Sequence, residues 1–352
     1  MIITQLRVAH TPLALHTPFK TALRTAHEID SIDVYLDTDA GLIGRGATAP
    51  TLVITGDSLE GIMGALLGPI QAALVGQDAR QLNRLLLAIQ RSCIGNTSAK
   101  AAADIALHDL FAKWLEQPLY AVLGGHKALS TNMTIGLDTP DVMQAAAQKA
   151  VADGFDTLKV KVGNDPALDI ERMQAIVAAV PASTRFRLDA NQGWTAKDAV
   201  NVICQLEALQ LNIDWVEQPV LARDFAGLKY VTDKVGTKIM ADESVFSPQD
   251  AFTLISDRCV DLLNIKLLKC GGIGPAQQIA DLAAIHHMPC MIGSMMESSV
   301  SVSAAAHFAA SHPNVLYCDF DAPLWLQAAP QGLSYAGQRV TLTERPGLGL
   351  SD

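Results

Sequence analysis

TLKVKVG, residues 157–163, opens a series of six apolar runs that decides the fold of this chain. The other five are RFRLDANQGW (185–194), IDWVEQP (213–219), KIMADES (238–244), VDLLNIKLLKCGG (260–272) and CMIGSMMES (290–298). Alanine-rich segments with helical periodicity lie between most of the runs. Ionisable residues recur near the ends of the runs at spacings of 28, 28, 25 and 24 residues: Lys161, Asp189, Glu217, Asp242 and Lys266. Each spacing accommodates one strand, one helix and two short loops, which predicts successive βα units.

Repeated βα units predict a (β/α) barrel, in which the chemistry lies at the carboxyl ends of the strands. Two flanking runs, TNMTIGL (131–137) and VLYCDFDAP (315–323), supply strands 1 and 8. Lys161 then falls on strand 2 and Lys266 on strand 6, which are on opposite walls of an eight-stranded barrel. The three acidic residues fall on strands 3, 4 and 5, between the two lysines.

Three acidic side chains at neighbouring strand ends predict a metal site. Carboxylates that converge at one barrel mouth repel one another strongly unless a cation lies between them. A ligand set made only of oxygen favours a hard ion, Mg²⁺, over zinc. We therefore expect Asp189, Glu217 and Asp242 to hold one Mg²⁺ per subunit, flanked by the amines of Lys161 and Lys266.

These motifs carry a resemblance to a known family. The K-V-K sequence at 159–161, the three acids and the lysine of NIKLLKCGG resemble the enolase superfamily, in its muconate-lactonising subgroup. Three further stretches resemble the dipeptide epimerases of that subgroup, those acting on Ala-Glu above all: TPFKTALRTA (17–26), APTLVITGDS (49–58) and the D-F-D of 319–321. The resemblance extends over almost the whole chain.

The resemblance implies an α/β fold, a (β/α)7β-type modified TIM barrel with an α+β capping domain. Near-alternating strand patterns and then helical patterns mark the cap over residues 1–125, and the barrel follows over 126–324. The tail, 325–352, is expected to pack back onto the cap and complete it. The implied activity is Mg²⁺-dependent epimerisation of a dipeptide at its C-terminal residue, through an enolate, with L-Ala-L-Glu and L-Ala-D-Glu as substrates.

Epimerisation needs a base on each face of a planar intermediate, and Lys161 and Lys266 are placed for these two roles. Asp319 and Asp321 lie at the end of strand 8, across the barrel from strand 4, where they suit the α-ammonium of a dipeptide. Arg24, in a cap loop, suits a side-chain carboxylate of the substrate. The full set of expected substrate contacts is Arg24, Thr134, Lys159, Asp319, Asp321, Met296 and Ser298.

Several other residues receive structural interpretations. Lys269 is interpreted as a solvated charge, Glu243 as an acid that points away from the metal, and the Gly271-Gly272 pair as a turn. Four histidines away from the strand ends are expected to be structural: His286, His287, His307 and His312. Two cap loops, over about 20–29 and 47–57, are expected to act as lids. The family usually has an acid where this chain has Ala47, so the contact of that acid must be absent or replaced.

Composition limits the partners. The net charge of −10 argues against nucleic acids and anionic membranes. The six cysteines lack C-x-x-C spacing, which favours free thiols in a reducing compartment. The N-terminus lacks the pattern of a signal peptide, and the apolar runs are short for a membrane span. We expect a soluble, cytoplasmic homo-oligomer whose partner is a small dipeptide.

Three alternative functions remain open from the sequence. The first is another activity of the same subgroup: a dipeptide epimerase of other specificity, a cycloisomerase, an o-succinylbenzoate synthase or an N-acyl amino acid racemase. The second is a Schiff-base aldolase, which needs a lysine but not the three acids. The third is a binding protein that has lost catalysis, against which the complete set of lysines and acids argues.

Overall fold

The computed structural model describes residues 1–351 and begins with an antiparallel sheet. Its strands are β1 (Ile3–Lys20), β2 (Thr25–Thr38) and β3 (Ile43–Thr48), in the order β1-β2-β3. One face of β2 buries Ile32, Val34 and Leu36 in the core of the cap. Glycines at 44 and 46 let β3 approach a helix closely, because an added Cβ would lie 2.2 Å and 2.1 Å from backbone oxygens of Ala106 and Ala102.

The helices of the cap follow the sheet, as the sequence predicts. They are α1 (Leu59–Ala65), a π-helical turn (Leu66–Ile70), α2 (Gln71–Leu74), α3 (Leu82–Arg91), α4 (Thr97–Trp114) and α5 (Leu119–Val122). The hydroxyl of Ser58 caps α1 by accepting a hydrogen bond from the amide of Gly61 at 3.1 Å. Helix α4 is buried along most of its length, since it packs against β3 on one side and against barrel helices on the other.

The barrel strands are short and parallel, and the site residues predicted for β6 to β10 and for β12 lie at or just after the strand ends. After β4 (Leu129–Ser130), they are β5 (Met133–Ile135), β6 (Thr157–Lys161), β7 (Arg185–Asp189), β8 (Ile213–Glu217), β9 (Ile239–Ala241), β10 (Leu262–Ile265), β11 (Cys290–Gly293) and β12 (Val315–Asp319). The sheet runs in chain order from β5 to β12. This confirms the predicted barrel, with β6 as its second strand and β10 as its sixth.

Helices connect each barrel strand to the next. They are α6 (Pro140–Ala152), α7 (Pro166–Ala179), α8 (Ala196–Ala208), α9 (Phe225–Thr232), α10 (Pro248–Ser256), the short α11 (Leu267–Cys270), α12 (Ile273–Ile285) and α13 (Ser299–Ser311). The eighth strand is followed only by the four-residue α14 (Ala322–Trp325), so the (β/α)7β arrangement is confirmed. The Gly271-Gly272 turn links α11 to α12 with φ of 94° and 120°, and Asp104 of the cap accepts a hydrogen bond from the amide of Ile273.

Side chains, and not a backbone ladder, close the barrel between its first and eighth strands. Within residues 1–351, β5 and β12 share no strand pairing. Thr131 accepts a hydrogen bond from the amide of Phe320 at 2.8 Å. Asn132 donates to Asp319 at 2.8 Å, and the carboxylate of Asp321 accepts from the amide of Thr134 at 2.7 Å. Asp319 and Asp321 therefore supply two of the hydrogen bonds that close the barrel.

The C-terminal tail contacts both the cap and the barrel. It forms the hairpin β13 (Leu333–Ala336) and β14 (Arg339–Leu342), and β14 pairs with β4. On the cap side, Leu326 bridges Leu15, and the amide of Leu348 donates to Asp109 at 2.8 Å. The division into a 1–125 cap completed by 325–352 and a 126–324 barrel stays a prediction.

The cap loops differ from their predicted bounds. The first is a tight turn over residues 21–24 and not a loop over 20–29, because the β1–β2 ladder continues through the Phe19–Ala26 pair. The second begins after Thr48, because Ala47 belongs to β3 and is fully buried. No helix within residues 1–351 combines the length and the apolar character that crossing a membrane requires.

Candidate active site

Five ionisable residues meet at the carboxyl ends of consecutive barrel strands. Lys161, Asp189 and Glu217 are the last residues of β6, β7 and β8. Asp242 and Lys266 directly follow β9 and β10. The strand register aligns them, since Lys161 pairs with Asp189 and Asp189 with Glu217. The regular spacing in the sequence thus becomes one cluster in space.

The three acids form a group that can hold a metal ion. Asp189, Glu217 and Asp242 are fully buried, and each offers an oxygen within 4.8 Å of the others. Burial, and then the neighbouring Asp189, raise the pKa of Glu217 to about 8. A divalent cation would relieve that repulsion, and carboxylate oxygens are the ligands that Mg²⁺ takes in proteins. The residues present therefore fit Mg²⁺.

Lys159 links the acid cluster to the eighth strand. Its Nζ lies 3.0 Å from Asp189, 2.8 Å from Glu217 and 2.9 Å from Asp319. Burial alone would lower the pKa of Lys159, but Asp189, Asp319 and Glu217 outweigh it and raise this pKa well above its usual value. Lys159 therefore stays a cation beside the acid cluster.

The two lysines expected to act as bases lie on opposite sides of this cluster. The Nζ of Lys161 is 2.6 Å from Asp189 and 3.0 Å from the amide oxygen of Asn191. The Nζ of Lys266 is 2.7 Å from Asp242. Burial opposes the charge of Lys266, but Asp242 outweighs it and raises the pKa of this lysine. Strands β7, β8 and β9 separate the two lysines, so their amines enter the barrel mouth from opposite walls.

One cavity above the cluster brings together most of the expected substrate contacts. Six of the seven expected substrate contacts line it, and so do the two lysines expected to act as bases: Arg24, Thr134, Lys159, Met296, Asp319 and Asp321, with Lys161 and Lys266. Its remaining walls include Phe19, near the end of β1, and Leu23, Val53 and Ile54 from the two cap loops. Ser298 is the exception among the expected contacts, because it lines a different cavity.

The two strand-8 acids differ in their partners. Asp319 has both oxygens engaged, one by Asn132 at 2.8 Å and one by Lys159 at 2.9 Å. In Asp321, Oδ2 accepts from the amide of Thr134 at 2.7 Å and from the indole N–H of Trp325 at 3.3 Å. Burial, and then Asp319, raise the pKa of Asp321 to about 6. Asp321 is therefore a buried carboxyl whose ionised form a nearby cation would favour.

Arg24 lies in the turn between β1 and β2. The amide of Thr21 donates to the carbonyl of Arg24 at 2.9 Å, and the Thr21 hydroxyl accepts from the amides of Leu23 and Arg24. The guanidinium is half-buried, and burial lowers its pKa. It makes no hydrogen bond or ion pair with any side chain of residues 1–351. The turn thus presents a cation without an anionic partner to the cavity.

Lys269 corrects one interpretation from the sequence. It is fully buried and not solvated, with its Nζ 2.6 Å from Asp242 and 3.0 Å from the carbonyl of Asn264. The helix α11 begins directly after Lys266, so a lysine three residues later returns to the same side. A sequence prediction that ended the sixth strand at Ile265 and began a helix after Lys266 would have placed Lys269 on the side of the site.

A second group of hydrogen-bonded side chains was not predicted from the sequence, because its members are far apart along the chain. Arg187 donates to Asn132 at 2.8 Å, and Asn132 in turn donates to Asp319. The guanidinium of Arg187 also stacks on Trp215, 4.4 Å from the ring centroid. This group supports Asp319 from inside the barrel. The histidines lie away from the site; His307, for example, accepts from the amide of Tyr120 at 3.1 Å.

Comparison with known families identifies the superfamily. Residues 3–124 match the N-terminal domain of the mandelate racemase / muconate lactonizing enzyme family, and residues 142–351 match the enolase C-terminal domain-like family. The chain belongs to the enolase superfamily. This superfamily member resembles the L-Ala-D/L-Glu epimerase of Bacillus subtilis (strain 168), with 44% identity over 99% of this chain and 97% of that protein. The solved substrate-liganded complex of the Bacillus subtilis epimerase has a TM-score of 0.98 and covers 99% of both chains.

A second relative has a different specificity. A hydrophobic dipeptide epimerase from Enterococcus faecalis is 42% identical over the full length of both proteins. A solved dipeptide epimerase from Enterococcus faecalis V583, in complex with Mg and L-Leu-L-Tyr, has a TM-score of 0.96 at 41% identity and covers all of both chains. Since these relatives are epimerases of one superfamily, this superfamily member is an isomerase that acts by racemisation or epimerisation.

Proposed function

We propose that this enzyme epimerises dipeptides at their C-terminal residue, and that L-Ala-L-Glu and L-Ala-D-Glu are its substrates. One observation carries the proposal: a single cavity holds two opposed lysines, a buried carboxyl and an arginine without a partner. These groups match the α-carbon, the α-ammonium and the side-chain carboxylate of such a dipeptide. The match to the Bacillus subtilis relative supports the same specificity.

The chemistry is a proton transfer at the carbon next to the substrate carboxylate. When bound by the three acids, Mg²⁺ supplies positive charge that stabilises the anion formed by loss of the α-proton, as in enolase-superfamily sites generally. Lys159 adds a further fixed cation on the same side. Lys161 takes the proton from one face, and Lys266 delivers a proton to the other face; the reverse reaction exchanges their roles.

Asp319 and Asp321 are proposed to hold the far end of the substrate. A dipeptide whose carboxylate meets the cation that the three acids would hold extends across the barrel towards strand 8. Its α-ammonium would meet Asp321, whose Oδ1 is not among the oxygens bonded to Thr134 or Trp325. The ammonium would then favour the ionised form of this buried carboxyl.

N-acetylation of the dipeptide is expected to lower kcat/KM by at least about tenfold, since a charge-assisted hydrogen bond to a buried carboxylate is lost. The measurement compares L-Ala-L-Glu with its N-acetyl form by polarimetry. In Asp321→Asn, the difference in kcat/KM between the free and the N-acetylated dipeptide should be smaller than in the wild-type enzyme. Equal rates for the free and acetylated dipeptides in the wild-type enzyme would mean that these acids only close the barrel.

Arg24 is the proposed selector of the side chain. A planar guanidinium binds both oxygens of a carboxylate at once, which a lysine or an amide cannot match. Because Arg24 is half-buried and unpaired within residues 1–351, a glutamate side chain would supply the charge that it lacks. The apolar residues around it exclude water, which strengthens that ion pair.

A dipeptide library in D₂O, read as α-deuteration by mass spectrometry, is expected to show preferential labelling of Ala-Glu. Arg24→Met should raise KM for Ala-Glu by about 10- to 100-fold and change neutral dipeptides much less. Lys20→Met is the matched control, because it removes a cation of the neighbouring strand end that pairs with Asp138. Preference of the wild-type enzyme for Ala-Leu or Ala-Lys would reject Arg24 as the selector.

A second specificity has its own support. The cavity walls from the cap, Phe19, Leu23, Val53 and Ile54, are apolar, and the Enterococcus faecalis relative acts on hydrophobic dipeptides. The same library decides between the two specificities, since labelling of Leu- or Tyr-ending dipeptides above Ala-Glu would select the apolar one. An N-acyl amino acid racemase, a cycloisomerase or an o-succinylbenzoate synthase would leave every free dipeptide unlabelled.

The proposed substrate class is that of murein peptides, in which Ala-Glu units occur, and we propose a cytoplasmic enzyme. We propose one Mg²⁺ per subunit and a homo-oligomeric assembly.

A further inference from the structure

A second cavity lies between the cap sheet and the N-terminus of α13. It measures about 150 Å³ and shares no lining residue with the substrate cavity. Its polar walls come from β1, β2, β3, the start of α13 and the tail: Thr11, Ser31, Asp33, Arg45, Ser298, Ser299 and Gln331. Neither the proposed chemistry nor the proposed specificity uses these residues as a group.

Two buried hydroxyls in this cavity have no partner. Ser31 is 1% exposed and Ser298 is 7% exposed, and neither Oγ is within hydrogen-bonding reach of any polar group of residues 1–351. Buried polar groups are nearly always paired, so two in one cavity indicate something that pairs them. Both are hydroxyls, which can donate to an acceptor inside the cavity.

The helix adds further donors. Ser298 is the N-cap residue of α13, yet its side chain accepts no hydrogen bond from the first turn. Since Ser298, Ser299 and Val300 line the cavity, the first turn of α13, whose amides lack the usual cap from Ser298, lies at its wall, and the helix dipole places partial positive charge there. A 13-residue helix with an uncapped end and two unpaired hydroxyls beside it favours an acceptor-rich ligand.

The charged groups limit that ligand to a small monoanion. Asp33 and Arg45 compensate one another, with contacts of 3.1 Å and 3.0 Å, and Arg45 also donates to Gln331 at 3.2 Å. Among the residues that line the cavity, what remains is the positive end of α13. Asp33 would repel a dianion such as hydrogen phosphate more strongly than a monoanion.

Ala47 lies on the same face of the cap sheet as the cavity residue Asp33. It pairs with Asp33 across the β2–β3 ladder, and directly opposed residues point to the same face of a sheet. The fully buried methyl group of Ala47 therefore points to the side on which Asp33 lines the cavity. A longer acidic side chain at this position would direct its carboxylate towards the start of α13.

We propose that this cavity binds a small monocarboxylate, of the size of formate or acetate, through the N-terminus of α13 and the hydroxyls of Ser31 and Ser298. The ligand occupies the place that a carboxylate on residue 47 would take. Because Met296 lies two residues before Ser298, a ligand here also orders the segment that enters the substrate cavity.

The test uses the full-length protein with Mg²⁺ and titrates sodium acetate against sodium chloride at constant ionic strength. Acetate is expected to raise Tm saturably, with a dissociation constant on the order of 1 mM. Ser31→Ala should weaken binding by about two- to tenfold, because one neutral hydrogen bond is lost. Ser303→Ala is the matched control, since this buried serine of α13 already donates to the carbonyl of Leu348.

Ala47→Glu is the decisive variant. It should raise Tm without acetate and abolish the response to acetate, because its own carboxylate fills the cavity. Acetate bound at the substrate cavity would still respond in this variant, and that result would overturn the proposal. Equal shifts with acetate and chloride, or equal affinity in Ser31→Ala and Ser303→Ala, would also overturn it and leave water as the partner of the hydroxyls. Should Ala47→Glu fail to fold, the two serine variants decide.

Discussion

Replacing either Lys161 or Lys266 with alanine is expected to abolish epimerisation, with a loss of at least about a hundredfold in kcat, the usual contribution of a positioned base. Each lysine enters the barrel mouth from its own wall, and each is held by a different acid, Asp189 or Asp242. Neither amine can reach the face that the other serves. A single mutant therefore retains, at most, exchange of the α-proton that faces the surviving lysine.

The exchange pattern distinguishes this mechanism from a general loss of structure. Each mutant is incubated in D₂O with L-Ala-L-Glu or with L-Ala-D-Glu, and α-deuterium is followed by NMR. The two mutants should label opposite epimers, and the double mutant should label neither. Near wild-type epimerisation in either single mutant would contradict the two-base scheme. Trapping of either lysine by borohydride with a carbonyl substrate would indicate a Schiff-base enzyme.

Removal of the metal is expected to have an effect of comparable size. Without a divalent cation, three buried carboxylates have only lysines to neutralise them, and Lys159 alone is left to stabilise the charge that forms on the substrate. Loss of such stabilisation lowers kcat by about 10²- to 10³-fold or more. Exhaustive dialysis against EDTA should remove activity, and Mg²⁺ should restore it.

The matched variants for this prediction are Asp242→Asn and Glu243→Gln. Both acids are buried and adjacent in sequence, but only Asp242 belongs to the cluster of three. Calorimetric titration with Mg²⁺ should show a loss of affinity in Asp242→Asn and near wild-type affinity in Glu243→Gln. Full activity in a protein that contains no metal would reject the site.

Much of the barrel could be predicted from the sequence because its signals are local and repeated. Each apolar run is one strand, and the ladder aligns Lys161, Asp189 and Glu217 because each stands at the end of its run. Glu243 was expected to point away from the metal, and it lies outside the group of three acids, although it is buried and contacts Asn191 at 3.2 Å. Strand count and strand order followed from the same spacing.

The remaining parts of the site and the cap depend on contacts between residues far apart in sequence, which no local sequence pattern indicates. Asn132, Arg187 and Asp319 come together from three strands, and Trp325 reaches Asp321 from the start of the tail. Polar residues at 27 and 28 concealed the continuation of β2 to Thr25, so the first cap loop was predicted too long. Ser298 directly follows the S-M-M-E stretch (294–297), whose Met296 lines the substrate cavity, yet Ser298 itself lines the second cavity.

The side-chain closure between β5 and β12 has a consequence for how such enzymes diverge. Under the proposed function, a mutation of Asp319 or Asp321 would alter both the binding of the substrate's α-ammonium and the hydrogen bonds between β5 and β12, so selection for a new N-terminal group must also restore the barrel closure. Arg24 stands in a four-residue turn, and no other side chain of residues 1–351 relies on its guanidinium. Under the same proposal, the preference for the second residue of the dipeptide can change through single substitutions in that turn. Recognition of the dipeptide's α-ammonium is meanwhile retained from the ancestor.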